Sequence, residues 1–121
     1  MTFVVSIVNQ QSASAKTTLA SRLGMALAQV GENVLAIDLD PQADLSTLAG
    51  IDTETIKQSV HEVLLGVAGI EDVMADSDLG IDLVPSCIDL AAVEMRLVTR
   101  AGREKVLGNA IEPLKREYDW I

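Results

Sequence analysis

Two short stretches hold the residues with the most chemical capacity. Lys16, Thr17 and Thr18 follow a run of small and polar residues, Gln11-Ser12-Ala13-Ser14-Ala15, and open a helical pattern. At such a place backbone N–H groups and a helix N-terminus hold phosphate oxygens, the lysine ammonium bridges β- and γ-phosphates, and the first hydroxyl holds Mg²⁺. The second stretch is Asp38-Leu39-Asp40-Pro41. There two carboxylates stand two positions apart just ahead of a proline. Each stretch also has a plain structural reading: a solvated first helical turn for Lys16 to Thr18, and a turn punctuated by Pro41 for the aspartates.

The neighbouring elements would bring these two stretches together. Phe3-Val4-Val5-Ser6-Ile7-Val8 is rich in β-branched residues and almost continuously apolar, which predicts a central strand covered on both faces. Leu19, Leu23, Leu27 and Val30 recur at helical spacing, and Gly31 closes that helix. Val34-Leu35-Ala36-Ile37 then reads as a second buried strand that delivers Asp38 and Asp40 at its carboxyl end, where open α/β folds place ligands. Strand, loop, helix and strand make a βαβ unit, so the expected class is α/β, a parallel sheet with flanking helices.

Further along, Ser59 and Glu62 form a capping-box pattern for a helix from Val60 to Leu65, stopped by Gly66, and Ile70 to Met74 adds a turn. Gly80 to Pro85 predicts a third strand. Leu90 to Val98 and Glu104 to Lys115 predict two helices, the second bent or weakened by Pro113. Tyr118-Asp119-Trp120-Ile121 reads as the opening of another strand.

Composition removes several classes. The chain has 121 residues, 18 acidic against 9 basic side chains and a formal charge of -9. It carries no basic run of the kind that displaces counterions from nucleic acid. With 49% hydrophobic and 22% charged residues it can build one packed core, unlike a disordered chain. No apolar run approaches the ~20 residues of a membrane span, and the first eight residues lack the features of a signal peptide, so a cytoplasmic location is expected. Cys87, a lone cysteine, reads as a small buried hydrophobe. His61 reads as a solvated helical residue without a metal-site partner, and Met25, Met74 and Met95 as core packing.

Taken together, Val8-Asn9-Gln10-Gln11-Ser12-Ala13-Ser14-Ala15-Lys16-Thr17-Thr18 and Val34-Leu35-Ala36-Ile37-Asp38-Leu39-Asp40-Pro41-Gln42-Ala43-Asp44-Leu45-Ser46-Thr47 closely resemble the ParA/Soj branch of the deviant Walker-type, MinD-related partition ATPases. The likeness runs on through Val84-Pro85-Ser86 to Glu117-Tyr118-Asp119-Trp120-Ile121. It implies that residues 1–121 are a single, partial P-loop NTPase domain, incomplete on its C-terminal side. It also implies ATP and Mg²⁺ as cofactors, with residues Gln11, Ser12, Ala13, Ser14, Ala15, Lys16, Thr17 and Thr18 around the nucleotide. Lys16 and Asp40 would act in catalysis, Asp40 orienting the attacking water with Asp38 in support, and Thr17 and Asp40 would stand beside the metal. An ATP-dependent homodimer, a ParB-like partner and non-specific DNA binding by the full-length family follow from the same resemblance, with the family's C-terminal basic surface lying outside this chain.

The family pattern for the loop is Lys-Gly-Gly-x-Gly-Lys-Thr-Thr, and this chain departs from it. Gln11 stands where the family has the lysine that reaches a partner's nucleotide. For an analogous arginine finger, such a charge is worth ~10³–10⁵ in rate. Ser12, Ala13 and Ala15 stand where the family has glycines. A Cβ held at positive φ costs roughly 1–2 kcal/mol, so two or three such positions weaken binding by ~30-fold to ~10⁴-fold. Two functions compete: a ParA-type ATPase region serving partition, impaired in nucleotide binding, and a non-catalytic pseudo-ATPase or remnant acting through protein contacts. A dinucleotide-dependent oxidoreductase ranks behind both, because no G-x-G-x-x-G occurs.

Overall fold

The computed structural model describes residues 1–8, 15–92, 102 and 105–121. Most of the loop in question, residues 9–14, and most of the predicted helix from Leu90 to Val98 lie outside the described residues.

The βαβ expectation is met where its hydrophobic pattern is strongest. Helix α1 (Ala15–Gln29) begins at the end of the small-residue loop. Gly31 takes φ 91, the left-handed conformation that a residue without a Cβ adopts at no steric cost, and its N–H bonds Ala28 O. Strand β1 (Leu35–Ile37) follows after three residues. The chain then runs through α2 (Asp44–Leu48), α3 (Val60–Leu64) and α4 (Ile70–Val73). Strands β2 (Ala75–Asp76) and β3 (Asp82–Val84) come next, and α5 (Val106–Ile111) passes directly into a 3-10 turn, Glu112–Arg116. Pro113, which removes a backbone donor, sits at the start of that turn, so the predicted weakening appears as a change of helix type.

The sheet is mixed rather than parallel throughout. β1 pairs parallel with β3, with Leu35 opposite Asp82 and Ile37 opposite Val84. β2 pairs antiparallel on the far edge of β3, giving the order β1-β3-β2. The cause is connection length: the five residues between β2 and β3 are too few for a crossover helix, so the two fold back as a hairpin in which Ser77 Oγ donates to Ile81 O at 2.6 Å.

On the free edge of β1 the two ends of the chain meet. Leu35 N–H bonds Trp120 O at 3.0 Å, and Trp120 N–H bonds Asn33 O. Phe3 N–H bonds Asp119 O, Ile121 N–H bonds Phe3 O, and Val5 N–H bonds Ile121 O at 2.8 Å. Residues 119–121 are thus wedged between the N-terminal segment and β1, parallel to both, with Trp120 stacked on Phe3 at 4.7 Å. The opening of a strand read from Tyr118 to Ile121 is present. The expectation of a covered central strand over Phe3 to Val8 is corrected: its pairing extends only as far as residue 121, and Val5 is 46% exposed. Beyond that point the N-terminal segment, β1 and α1 enclose an open cleft of about 470 Å³.

The helix read from Leu19, Leu23, Leu27 and Val30 is present, but Leu19 and Leu23 are exposed, and Leu23 lines the cleft. The fully buried residues of α1 are the small ones, Ser21 and Gly24. A Cβ on Gly24 would stand 2.9 Å from Ile81 Cδ1, so glycine lets the helix approach the start of β3. The main core lies on the other face of the sheet, where Leu35 and Val84 pack with Val60, Val63, Leu90 and Leu114.

The capping box of α3 is complete. Ser59 N–H donates to Glu62 Oε1 at 2.9 Å, and Ser59 Oγ accepts from His61 N–H at 3.1 Å. His61 is half-buried rather than solvated, with Nδ1 3.2 Å from Asp89 O. Cys87 is likewise half-buried, its Sγ 3.2 Å from Ser59 Oγ. Met74 fills core space beside Tyr118, as its apolar reading predicts, and Met95 lies outside the described residues.

Two substitutions separate capping from packing. Leu83→Ala, at a site with no solvent exposure, should cost about 2–5 kcal/mol, and Ser59→Ala about 1 kcal/mol. Urea unfolding measures both, and equal costs would mean that Leu83 does not anchor the sheet.

Candidate functional site

The site forms where the C-terminal end of β1 meets the first turn of α1. β1 delivers Asp38, Leu39 and Asp40, and α1 delivers Ala15, Lys16, Thr17 and Thr18. Lys16 Nζ lies 3.6 Å from Asp40 Oδ2, and both side chains are half-buried. Thr17 is half-buried beside them at the same end of the cleft, while Ala15 and Thr18 are exposed. The structure therefore brings Lys16, Thr17 and Asp40 together, although 24 residues separate Lys16 from Asp40 in sequence. Gln11, Ser12, Ala13 and Ser14 lie outside the described residues.

Asp38 does not face the cleft as an open carboxylate. It is 4% exposed, and three hydrogen bonds account for its two oxygens. Oδ1 accepts from Asp40 N–H at 3.1 Å, and Oδ2 accepts from Ser46 N–H at 3.0 Å and from Ser46 Oγ at 2.6 Å. Burial pushes its carboxyl above the usual carboxylate range, and the bonds from Ser46 and Asp40 pull against that rise. The supporting role expected of Asp38 thus has a physical form: it holds the backbone that presents Asp40.

The loop after Asp40 is tightly wound. Asp40 Oδ1 accepts from Gln42 N–H at 3.0 Å, and Asp40 O accepts from Ala43 N–H at 2.8 Å. Ala43 takes φ 56, a left-handed conformation that costs a residue with a Cβ roughly 1–2 kcal/mol. Two further residues complete the loop, both within stretches that carry the resemblance but given no role by the sequence. Ser46 lies on α2 and Ser86 just beyond β3, and both are fully buried. Ser86 N–H donates to Ser46 Oγ at 2.9 Å, and Ser86 Oγ donates to Asp40 O at 2.7 Å.

A cation facing a carboxylate, with a threonine next in sequence to the cation lining the same cleft, suits a polyphosphate and its hard divalent metal. Among the described residues, no three His, Cys, Asp or Glu side chains cluster as they would around a protein-caged ion. A metal here would take most of its ligands from phosphate and water, as Mg²⁺ does in phosphoryl-transfer sites.

Known proteins share this arrangement of strand end and helix start. Over 99% of the chain, the fold superposes with a TM-score of 0.96 and 41% identity on the cobyrinic acid a,c-diamide synthase of Mycobacterium smegmatis, whose crystal structure holds an ATP analogue and magnesium. That likeness defines a P-loop ATPase fold. Residues 2–121 match a family profile described as an AAA domain, and the chain belongs to that family in its ParA/Soj branch. It is 34% identical over 98% of its length to the sporulation initiation inhibitor protein Soj of Bacillus subtilis. It is 40% identical over 93% of its length to the chromosome partitioning protein ParA of Caulobacter vibrioides. The chain spans 49%, 47% and 42% of the lengths of these three proteins, respectively. Among the described residues no helix is long and apolar enough to cross a membrane.

Two measurements probe the electrostatics. The Lys16 and Asp40 pair is partly solvated, so Asp40→Asn should change stability by less than about 1 kcal/mol. For Asp38, the native state holds its proton more tightly than the unfolded chain, where the value is near 3.8. Just above that pH the folded chain binds more protons, so this group's contribution to stability is greatest below the unfolded value and declines as pH rises through the native one. The stability of the wild type minus that of Asp38→Ala, from urea unfolding between about pH 3 and about pH 7, should therefore fall with rising pH; a rise would contradict the cost assigned to burial.

Proposed function

We propose that residues 1–121 are the nucleotide-binding region of a ParA-type partition ATPase, in which Lys16 contacts the phosphates, Thr17 holds Mg²⁺, and Asp40 stands beside the metal and the attacking water. The observation that carries this reading is the 3.6 Å approach of Lys16 to Asp40 across the helix start and the strand end. The bound ATP analogue and magnesium of the Mycobacterium smegmatis synthase support it. The name of the Caulobacter vibrioides relative, a chromosome partitioning protein, supports partition of a chromosome, or by extension of a plasmid, as the process served. ATP-dependent pairing of two copies, a ParB-like partner and a cytoplasmic setting complete the proposal.

Two features of the sequence weaken the chemistry within that frame. Gln11 carries no charge to set against a developing phosphoryl charge. Ser12, Ala13 and Ala15 bring side chains to positions where the family pattern has glycine, so Mg-ATP affinity and turnover are reduced. The alternative, a pseudo-ATPase working through protein contacts, rests on these same residues.

Thermal unfolding with and without millimolar Mg-ATP distinguishes the two. Binding at a hundredfold excess over Kd stabilises the fold by ~2.7 kcal/mol, several degrees for a domain of this size. We expect an upward shift that Lys16→Ala abolishes and that the triple change Ser12→Gly, Ala13→Gly, Ala15→Gly enlarges. A shift seen only in the triple variant favours the pseudo-ATPase, and no shift in either chain removes nucleotide binding from the reading.

A further inference from the structure

We infer that Ser86, acting with Ser46, is a positioning residue that fixes the Asp40 carboxylate opposite Lys16. The inference rests on the proposed phosphate and metal site, but its geometric core stands in the nucleotide-free chain. Asp40 follows the last residue of β1 by three positions, where a strand end gives little restraint of its own. What restrains it is a closed circuit of hydrogen bonds. Asp38 Oδ1 holds the Asp40 N–H, and Ser86 Oγ holds the Asp40 C=O, so the residue is gripped on both sides of its Cα. Ser46 joins the two grips, because its Oγ donates to Asp38 Oδ2 and accepts from Ser86 N–H.

The chemistry of the two hydroxyls makes the circuit specific. The single proton of Ser46 Oγ is committed to Asp38 at 2.6 Å, which leaves its lone pairs for Ser86 N–H. The proton of Ser86 Oγ is committed to Asp40 O. Both serines have no solvent exposure, so water cannot replace either bond without opening the fold. The end of β3 is thereby tied to the tip of the loop after β1, 46 residues away in sequence, and the link runs through the backbone of the residue that faces Lys16. A serine that merely filled space would need none of these directions.

The test compares Ser86→Ala with Ser59→Ala, a buried serine outside the circuit, in the 121-residue chain. Amide hydrogen exchange by NMR in the nucleotide-free protein is the first readout. In Ser86→Ala, exchange at Asp40, Gln42 and Ala43 should accelerate by about tenfold, while Leu35 and Asp82 in the paired strands stay within about twofold. Ser59→Ala should leave the loop amides unchanged. Ser86→Cys, which keeps a weaker donor, should fall between the wild type and the alanine variant, and it decides the question alone if the alanine variant does not fold.

The second readout is Mg-ATP affinity. Ser86→Ala should weaken it by about tenfold, and Ser86→Ala combined with Asp40→Asn should be no weaker than Asp40→Asn alone, because Ser86 acts through Asp40. Unchanged loop exchange, acceleration spread evenly over loop and strands, or an additive loss in the double variant overturns the inference. A wild-type chain that binds no Mg-ATP overturns the proposed function instead, and the exchange result then still decides whether Ser86 positions Asp40.

Discussion

Burying a carboxylate is costly unless its oxygens are hydrogen-bonded, and Asp38 is where this chain accepts that cost. Three donors converge on it, one from the residue two positions on and two from Ser46. The carboxylate thereby dictates how the chain leaves β1: it turns sharply, passes through a strained Ala43 and enters α2 with Ser46 pointing back at the strand. Loop, helix and strand end become one polar unit set into an apolar sheet. Because each member satisfies another, loss of one leaves a buried group without its partner, which makes such networks rigid and unforgiving of substitution.

This rigidity bears on the site. An isolated pair of half-buried charges contributes little to stability, so the Lys16 and Asp40 contact does not hold the loop in place. The order is the reverse: the buried network fixes the loop, and the loop presents Asp40 to the start of α1. A charge held in advance at the place where phosphate and metal would arrive costs little further ordering on binding, which is the physical content of preorganisation.

Much of this was legible in the sequence, and the parts that were not share a cause. The strand at Leu35, the helix from Ala15, the Ser59 cap and the approach of Lys16 to Asp40 rest on patterns local to one or two consecutive elements. Ser46 and Ser86 lie in stretches that carry the family resemblance, but their contact could not be read, because a serine's partners are set only by the fold and these two stand 40 positions apart. The antiparallel β2 is two residues long, below the length at which alternation can be read. Which side of α1 is buried was also not legible, for a different reason. Its leucines follow a true helical stripe, but Leu23 turns toward the cleft beyond Ile121 while Ser21 and Gly24 meet the described core.

The meeting of residues 3–5 with 119–121 also sets an order of events during synthesis. Residues 3–5 leave the ribosome well before Asp119 and Ile121, their hydrogen-bonding partners. At about 5–20 residues per second, the interval between the two is roughly 6–23 s. During that time Phe3, Val4 and Val5 must wait unpaired while β1, β3 and the helices between them have already emerged. This edge of the sheet therefore closes after the β1 and β3 pair beside it has been made, and until then the apolar residues 3–5 have no strand to pair with.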